Sequence, residues 1–322
     1  MNNKVLVVGN AVSTNAMFNT FDKKLNLIKV DTNELKNKLS EERELLAVWI
    51  HFDTFLDNSY LSLIKSVPFL MSTTTGLTHI SRKIQEHFGS NLISLKNRGE
   101  LLAKLTSTAE HAWSLIMLGN NNIIKSLSSV NEGYWDRQNN LRKNQLSSNT
   151  LGVIGYGRLG KMVAGYGTAF KMEVIVYETN SGAITEAKKH NLKIADSIDE
   201  IVSRSDIITI HASFNLGDDP IITQKVLMKI KKPLLIVNTS RGGLVDEAAV
   251  IDEISQRPNL RYFTDVLVCE EKGEDIKDSD LWNFSILEER VRITPHIGGA
   301  SFEAAAICEK ELVEDLLKRI TK

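Results

Sequence analysis

Cysteine is nearly absent. The 322 residues contain only Cys269 and Cys308. No Cys-x-x-Cys and no pair of histidines four apart accompany them, so a disulfide framework and a zinc site both lack ligands. The chain is therefore expected to work without a metal in a reducing, cytoplasmic setting. An excess of one charge is also missing. The 39 Lys and Arg against 40 Asp and Glu leave a net charge of -1, which removes the electrostatic case for a nucleic-acid or anionic-membrane partner. No apolar run approaches the roughly 18 residues of a membrane span. The N-terminal run, residues 5–8, stops at Gly9-Asn10, too short for a secretory core. Internal repeats and low-complexity tracts are lacking as well.

What remains is an ordinary globular composition, 42% apolar and 25% charged. A chain of this length exceeds what one core usually serves, so two domains are expected. Short, β-branched apolar runs at 5–8, 25–30, 45–50, 69–71 and 92–95 read as buried strands. Amphipathic stretches at 33–43 and 80–88 between them have the length of crossover helices. A second series follows at 151–155, 173–177, 207–211, 234–238 and 291–294. Between the two series, 107–130 reads as one long linking helix, and the polar, Trp-containing stretch 131–149 as surface loop. An amphipathic helix over 302–320 closes the chain with two residues after it, and no appended regulatory domain is expected.

The strand LGVI (151–154) runs into Gly155-Tyr156-Gly157-Arg158-Leu159-Gly160, which opens a helix. Glycines at these places allow a tight turn, a close approach of backbone to a pyrophosphate, and close packing of helix on strand. Gly155, Gly157, Arg158, Leu159 and Gly160 are thus candidate cofactor residues. The next strand ends beside Glu178, where an acid is expected to hold the two ribose hydroxyls of NAD and to repel the 2′-phosphate of NADP. A nucleotide sugar or adenylate would use the same loop, so nicotinamide chemistry needs separate support.

That support comes from four ordered segments: TLGVIGYGRLGKMVA (150–164), SDIITIHAS (205–213), VNTSRGGLVDEAAV (237–250) and TPHIGGAS (294–301). With them the chain resembles the D-isomer-specific 2-hydroxyacid dehydrogenases, the family of phosphoglycerate, glycerate and D-lactate dehydrogenases. Order and spacing fit from about residue 67 onward, and the earlier residues match only in strand pattern. The resemblance implies two doubly wound parallel α/β domains, a Rossmann-type NAD domain (104–297) inserted into a flavodoxin-like substrate domain (1–103 and 298–322). It also implies a homodimer built on the NAD domains, with Ala109-Glu110-His111 and the loop near Trp135 at the interface.

The reaction implied is hydride transfer between NAD and a D-2-hydroxy acid or 2-keto acid. It needs a base for the hydroxyl proton and a cation for the carboxylate and carbonyl. The resemblance assigns these to His296 and Arg241, with Glu270 stabilising the imidazolium; Glu271 could take that role instead, and the acidic run 270–275 could simply be solvated. It places His211, Ala212, Ser213, Thr239, Ser240, Asp265 and Gly298 beside the cofactor, Asp265 near the carboxamide. Ser213 stands where the family usually has Pro. Thr75, Gly76 and Leu77 match the loop whose N–H groups hold the substrate carboxylate, Thr75 also on the cofactor side. His51 falls where phosphoglycerate-type members carry an Arg, and Lys104 where many have Asn, so both are candidate substrate residues and 3-phosphoglycerate is in doubt. The rival reading is a redox-sensing scaffold or corepressor that binds NAD without significant turnover. A formate-type dehydrogenase would be expected to carry an amide in place of Glu270.

Overall fold

Strands buried on both faces of a parallel sheet should be continuously apolar rather than alternating, and the runs read above behave that way. The computed structural model describes residues 3–141, 144–215 and 217–321. The first sheet holds β1 (Lys4–Val8), β2 (Asn26–Val30), β3 (Ala47–Ile50), β4 (Phe69–Ser72) and β5 (Leu92–Ser94). All pairings are parallel and the order is β2-β1-β3-β4-β5. This is the flavodoxin-like order, whose direction reverses between β1 and β3.

The second sheet holds β6 (Thr150–Ile154), β7 (Glu173–Tyr177), β8 (Lys193–Ile194), β9 (Ile207–Ile210), β10 (Leu234–Asn238), β11 (Leu260–Thr264) and β12 (Val291–Ile293). Its order is β12-β11-β10-β9-β6-β7-β8. Three strands run outward on one side of the β6/β9 reversal and four on the other. That is the Rossmann order with one added strand. Two apolar clusters pack its faces, one around Ile208, Ile236 and Tyr262 and the other around Val153, Val176 and Val237.

The chain divides into two units, Met1–Leu105 with Ala300–Lys322, and Thr106–Gly299. These limits lie two residues beyond those read from the sequence. The last helix, Phe302–Ile320, belongs to the first unit because its buried residues Cys308, Leu312, Val313 and Leu316 share one core with Val5, Val7 and Trp49. Arg98 fixes it by pairing with Glu311 and Asp315.

One expectation is overturned. The single helix over 107–130 is two helices, Ser107–Asn120 and Ile123–Asn131, with Asn122 between them at φ +49°. Asparagine enters the left-handed region more readily than most residues, and here three in a row, Asn120 to Asn122, interrupt the apolar period. Within 131–149, two 3-10 turns form, Gln138–Asn140 and Leu146–Ser148, and Leu146 is buried; residues 142 and 143 lie outside the described residues. Strands β8 and β11 were not read from the sequence. In β11 the run LRYFT is broken by Arg261, whose guanidinium donates to the Gly119 carbonyl. Among the described residues no helix is long and apolar enough to cross a membrane.

Candidate active site

The glycine loop follows β6 directly. Gly155 adopts φ +90°, and a Cβ there would stand 2.7 Å from the His211 carbonyl and 2.8 Å from the Ala212 nitrogen; only glycine meets both demands. A Cβ on Gly160 would overlap the Gly155 carbonyl oxygen, whereas one on Gly157 would meet nothing within 4 Å. The middle glycine therefore leaves an open face. There the helix Arg158–Ala169 begins without a side-chain cap, so its N-terminus presents partial positive charge to that face.

Glu178 stands just past β7 and fastens this loop. Its Oε2 accepts the Tyr156 N–H at 2.7 Å, and its Oε1 accepts those of Thr179 and Asn180 at 2.7 and 2.8 Å. Burial pushes the carboxyl up, but these backbone donors outweigh it and hold it below the usual range, so it is ionised at neutral pH. At the ends of β9 and β10 two buried polar atoms have no hydrogen-bond partner among the described residues, His211 Nδ1 and Thr239 Oγ1. His211 Nε2 lies 2.9 Å from Thr209 Oγ1, and burial lowers its pKa to about 4, leaving the ring neutral. Ser240 Oγ donates to the Ile210 carbonyl at 2.8 Å, while Ala212 is half-buried and Ser213 exposed. An open glycine face, an uncapped helix, an ionised acid at the strand end and orphaned polar atoms at the β6/β9 reversal suit a dinucleotide.

Arg241, Glu270 and His296 follow three adjacent strands, β10, β11 and β12. Arg241 Nη1 donates to the Ser240 carbonyl at 2.6 Å. Its turn needs small neighbours: a Cβ on Gly242 would overlap the Leu267 backbone and one on Gly243 the Phe214 ring. The acidic run is a short helix, Val268–Lys272, ended by Gly273 at φ +70°. From it Glu270 Oε1 meets His296 Nδ1. Glu271 is buried and turned elsewhere, toward the Gly242-Gly243 turn and the Arg241 charge, and burial raises its carboxyl above the usual range.

His296 itself sits at φ +51°, a costly conformation for a residue with a side chain. Asp265 holds it there. The Asp265 carbonyl accepts the His296 N–H at 3.0 Å. The carboxylate accepts the Ile297 and Gly298 N–H groups at 2.9 and 2.7 Å and the Thr294 hydroxyl. His111 Nε2 lies 3.2 Å from Asp265 Oδ1 and 2.9 Å from Thr294 Oγ1. Burial would raise the Asp265 carboxyl, yet His111, Thr294 and the two N–H groups keep it below the usual range. The sequence does not mark this brace: Thr294 opens the TPHIGGAS segment, and His111 lies on a helix that the resemblance puts at an interface.

The remaining candidates stand in the first unit. His51 follows β3, its Nδ1 3.3 Å from Asp53 Oδ1, a contact that holds the Asp53 carboxyl low. After β4, the Thr74 hydroxyl donates to the Gly76 carbonyl at 2.8 Å, and Gln85 Nε2 to that of Leu77 at 3.0 Å; Thr75 is exposed. Lys104 is exposed at the end of the helix Gly99–Ala103.

Residues 113–298 match the NAD-binding domain of the D-isomer specific 2-hydroxyacid dehydrogenases. The chain belongs to that family. It is 31% identical over 221 residues to a hydroxypyruvate reductase of Thermotoga maritima, covering 68% of each chain. It is 32% identical over 220 residues to a D-3-phosphoglycerate dehydrogenase of Methanocaldococcus jannaschii, covering 68% of this chain and 40% of that protein. The fold matches the crystal structure of D-lactate dehydrogenase from Aquifex aeolicus complexed with NAD and lactic acid, with a TM-score of 0.77, 22% identity, and coverage of 98% and 95%. The protein is an NAD-dependent dehydrogenase of this family.

One further acid lies beside the family's Arg turn. Glu247 Oε1 accepts the Val268 N–H at 2.9 Å. Burial raises its pKa to about 7 against that hydrogen bond, and the neighbouring Glu271 charge adds to the rise. An unfolded chain loses this proton near the ordinary carboxylate value of about 4.3. Between there and about pH 7 the folded protein holds the extra proton, so this group's contribution to stability falls as pH rises and is gone above about 7. Glu247→Gln keeps an acceptor for Val268 and removes the charge. Its unfolding free energy, read from denaturant titration, should exceed that of the wild type above about pH 7 by roughly 1–2 kcal/mol after discounting for partial exposure. The two curves should meet below about pH 4.5, and a variant less stable at both ends would show that the ionised form is the paired one.

Proposed function

We propose that the enzyme interconverts a D-2-hydroxy acid and its 2-keto acid, with His296 as acid and base, Glu270 as the carboxylate behind it, and Arg241 as the substrate cation. The contact of Glu270 with His296, past the ends of the strands that neighbour Arg241's own, is the observation that carries this reading. A carboxylate on Nδ1 fixes the ring, leaving Nε2 the nitrogen to exchange a proton with the substrate oxygen. Arg241, a planar fork with parallel donors, suits a carboxylate and can polarise the adjacent carbonyl. Gly155 to Gly160 and Glu178 would hold NAD, which when bound accepts or supplies the hydride. The backbone of Thr75 to Leu77 would hold the carboxylate from the first unit, with His51 and Lys104 as further substrate contacts.

A homodimer in the cytoplasm is part of the proposal. Leu127, Tyr134 and Trp135 are 61%, 63% and 91% exposed, an apolar set that a partner subunit would cover. The test of function is a screen of 2-keto acids with NADH, phosphorylated and dicarboxylic ones included, followed by loss of NADH absorbance. No turnover on any of them, with tight NADH binding retained, replaces this reading with the scaffold.

Glu178→Ser should lower the ratio of kcat/KM for NAD over NADP at least about tenfold, or about 1.4 kcal/mol, because the carboxylate that excludes a 2′-phosphate is gone. Equal use of both cofactors by the wild type would sink the assignment.

A further inference from the structure

A chain of buried polar groups runs through the first unit to the loop that follows β4, the loop read as the holder of the substrate carboxylate. Ser72 ends β4 and is fully buried, and His79, seven residues on, is 4% exposed. His79 Nε2 lies 3.1 Å from Ser72 Oγ, and Ser72 Oγ lies 2.9 Å from Thr74 Oγ1. The Thr74 hydroxyl in turn donates to the Gly76 carbonyl at 2.8 Å. Both ends of this chain are anchored. The His79 carbonyl accepts the Leu56 N–H at 2.8 Å, and the Thr74 carbonyl accepts the Leu95 N–H, just past β5, at 3.1 Å.

Counting hydrogens gives the chain a direction. Each of the three contacts needs one hydrogen, and the two hydroxyls supply one apiece. Thr74 gives its own to the Gly76 carbonyl, so Ser72 must donate to Thr74. The remaining hydrogen therefore sits on His79 Nε2, and the ring donates to Ser72. A buried serine committed on both sides in this way has no other hydroxyl orientation that keeps both contacts. The order runs from the histidine outward to the loop.

Its effect falls on the loop carbonyls. That of Gly76 is taken by Thr74 and that of Leu77 by Gln85 Nε2 at 3.0 Å, a group that also reaches the Ile80 carbonyl at 2.7 Å. The N–H groups of Thr75, Gly76 and Leu77 meet no acceptor among the described residues. A segment whose carbonyls are tied to its own scaffold and whose N–H groups are open suits an anion. Without the Thr74 hydroxyl, the peptide plane after Gly76 is free to flip, because glycine tolerates either orientation, and a flipped plane sets a carbonyl oxygen against the anion.

We propose that His79, Ser72 and Thr74 are positioning residues for the substrate, a buried relay that holds the 75–77 loop with its N–H groups open to the carboxylate. The inference rests on the keto-acid reading above. All three act through the loop backbone.

The test is steady-state kinetics of the intact enzyme, with NADH saturating, on the 2-keto acid that the wild type reduces best in the screen above. Thr74→Val keeps the shape and removes the hydroxyl. It should raise KM for the keto acid about tenfold, with kcat within about twofold, because the carboxylate is held alike in the bound substrate and the transition state. Thr74→Ser restores the hydroxyl and should bring KM back to within about threefold of the wild type. His79→Phe should raise KM about three- to tenfold alone and add nothing once Thr74→Val is present, the signature of two groups in one network. His79→Gln keeps an N–H donor and should restore KM. Since KM does not depend on the fraction of folded enzyme, lost stability by itself leaves these values in place; if His79→Phe does not fold, Thr74→Val against Thr74→Ser decides. An unchanged KM in Thr74→Val, or an equal rise in Thr74→Ser, overturns the relay. An effect of His79→Phe that adds in full to that of Thr74→Val removes His79 from it and leaves a core histidine. A wild type that reduces no keto acid removes the underlying reading and this inference with it.

Discussion

His296→Ala should lose turnover in both directions, by roughly 10²- to 10⁴-fold, while its dissociation constant for NADH stays within about twofold of the wild type. The imidazole must be protonated to give a proton to the keto oxygen and neutral to take one from the hydroxyl. Reduction should therefore fail toward high pH and oxidation toward low pH, with opposite limbs from one group. The companion variant is Glu270→Gln. It leaves a hydrogen-bonding group against Nδ1 but removes the carboxylate, so turnover should fall in both directions while NADH binding is kept. Direct titration of NADH fluorescence separates chemistry from cofactor binding. An active His296→Ala would end the assignment of acid and base. Wild-type turnover in Glu270→Gln would mean that the carboxylate does no more than position the ring.

The choice between Glu270 and Glu271 illustrates what a sequence can carry. Both are acids in one run, and nothing in their order separates them. Once the run folds as the helix Val268–Lys272, consecutive side chains point about 100° apart, so only one can face His296, and Glu271 turns to the Arg241 turn instead. The fold class was legible because buried parallel strands are continuous apolar runs, and the phosphate loop because its glycines are dictated by overlaps within one β-turn-α unit. Strand β11 escaped because Arg261 interrupts its apolar run while finding a carbonyl partner on a helix. The apolar period over 107–130 does not show the break that the backbone preference of three asparagines imposes. Asp265 was legible as a site residue but not as the brace of the His296 loop, since that role depends on Thr294 and His111, the latter far away in sequence.

Arg241→Lys should be nearly as damaging as Arg241→Ala, each costing roughly a hundredfold or more in kcat/KM, the loss expected when a charge-assisted, bidentate contact is removed. The reason is geometric. The turn that carries Arg241 is fixed tightly: its guanidinium is held by the Ser240 carbonyl, and Gly242 and Gly243 have no room for side chains. Buried Glu271 lies against this turn and faces the arginine charge. The fork therefore points in one direction, and a lysine placed there offers a single, more strongly hydrated charge on a flexible stem. It cannot hold a carboxylate through two parallel donors while also polarising the neighbouring carbonyl. Because the first contact exists in the bound substrate and the second strengthens as charge develops on oxygen, the loss should divide between KM and kcat. Steady-state kinetics on the best keto acid found in the screen, with NADH saturating, reads both. A rise in KM alone would limit Arg241 to binding the carboxylate, and wild-type kinetics in the lysine variant would reduce it to a brace of its own turn, held there by Glu271.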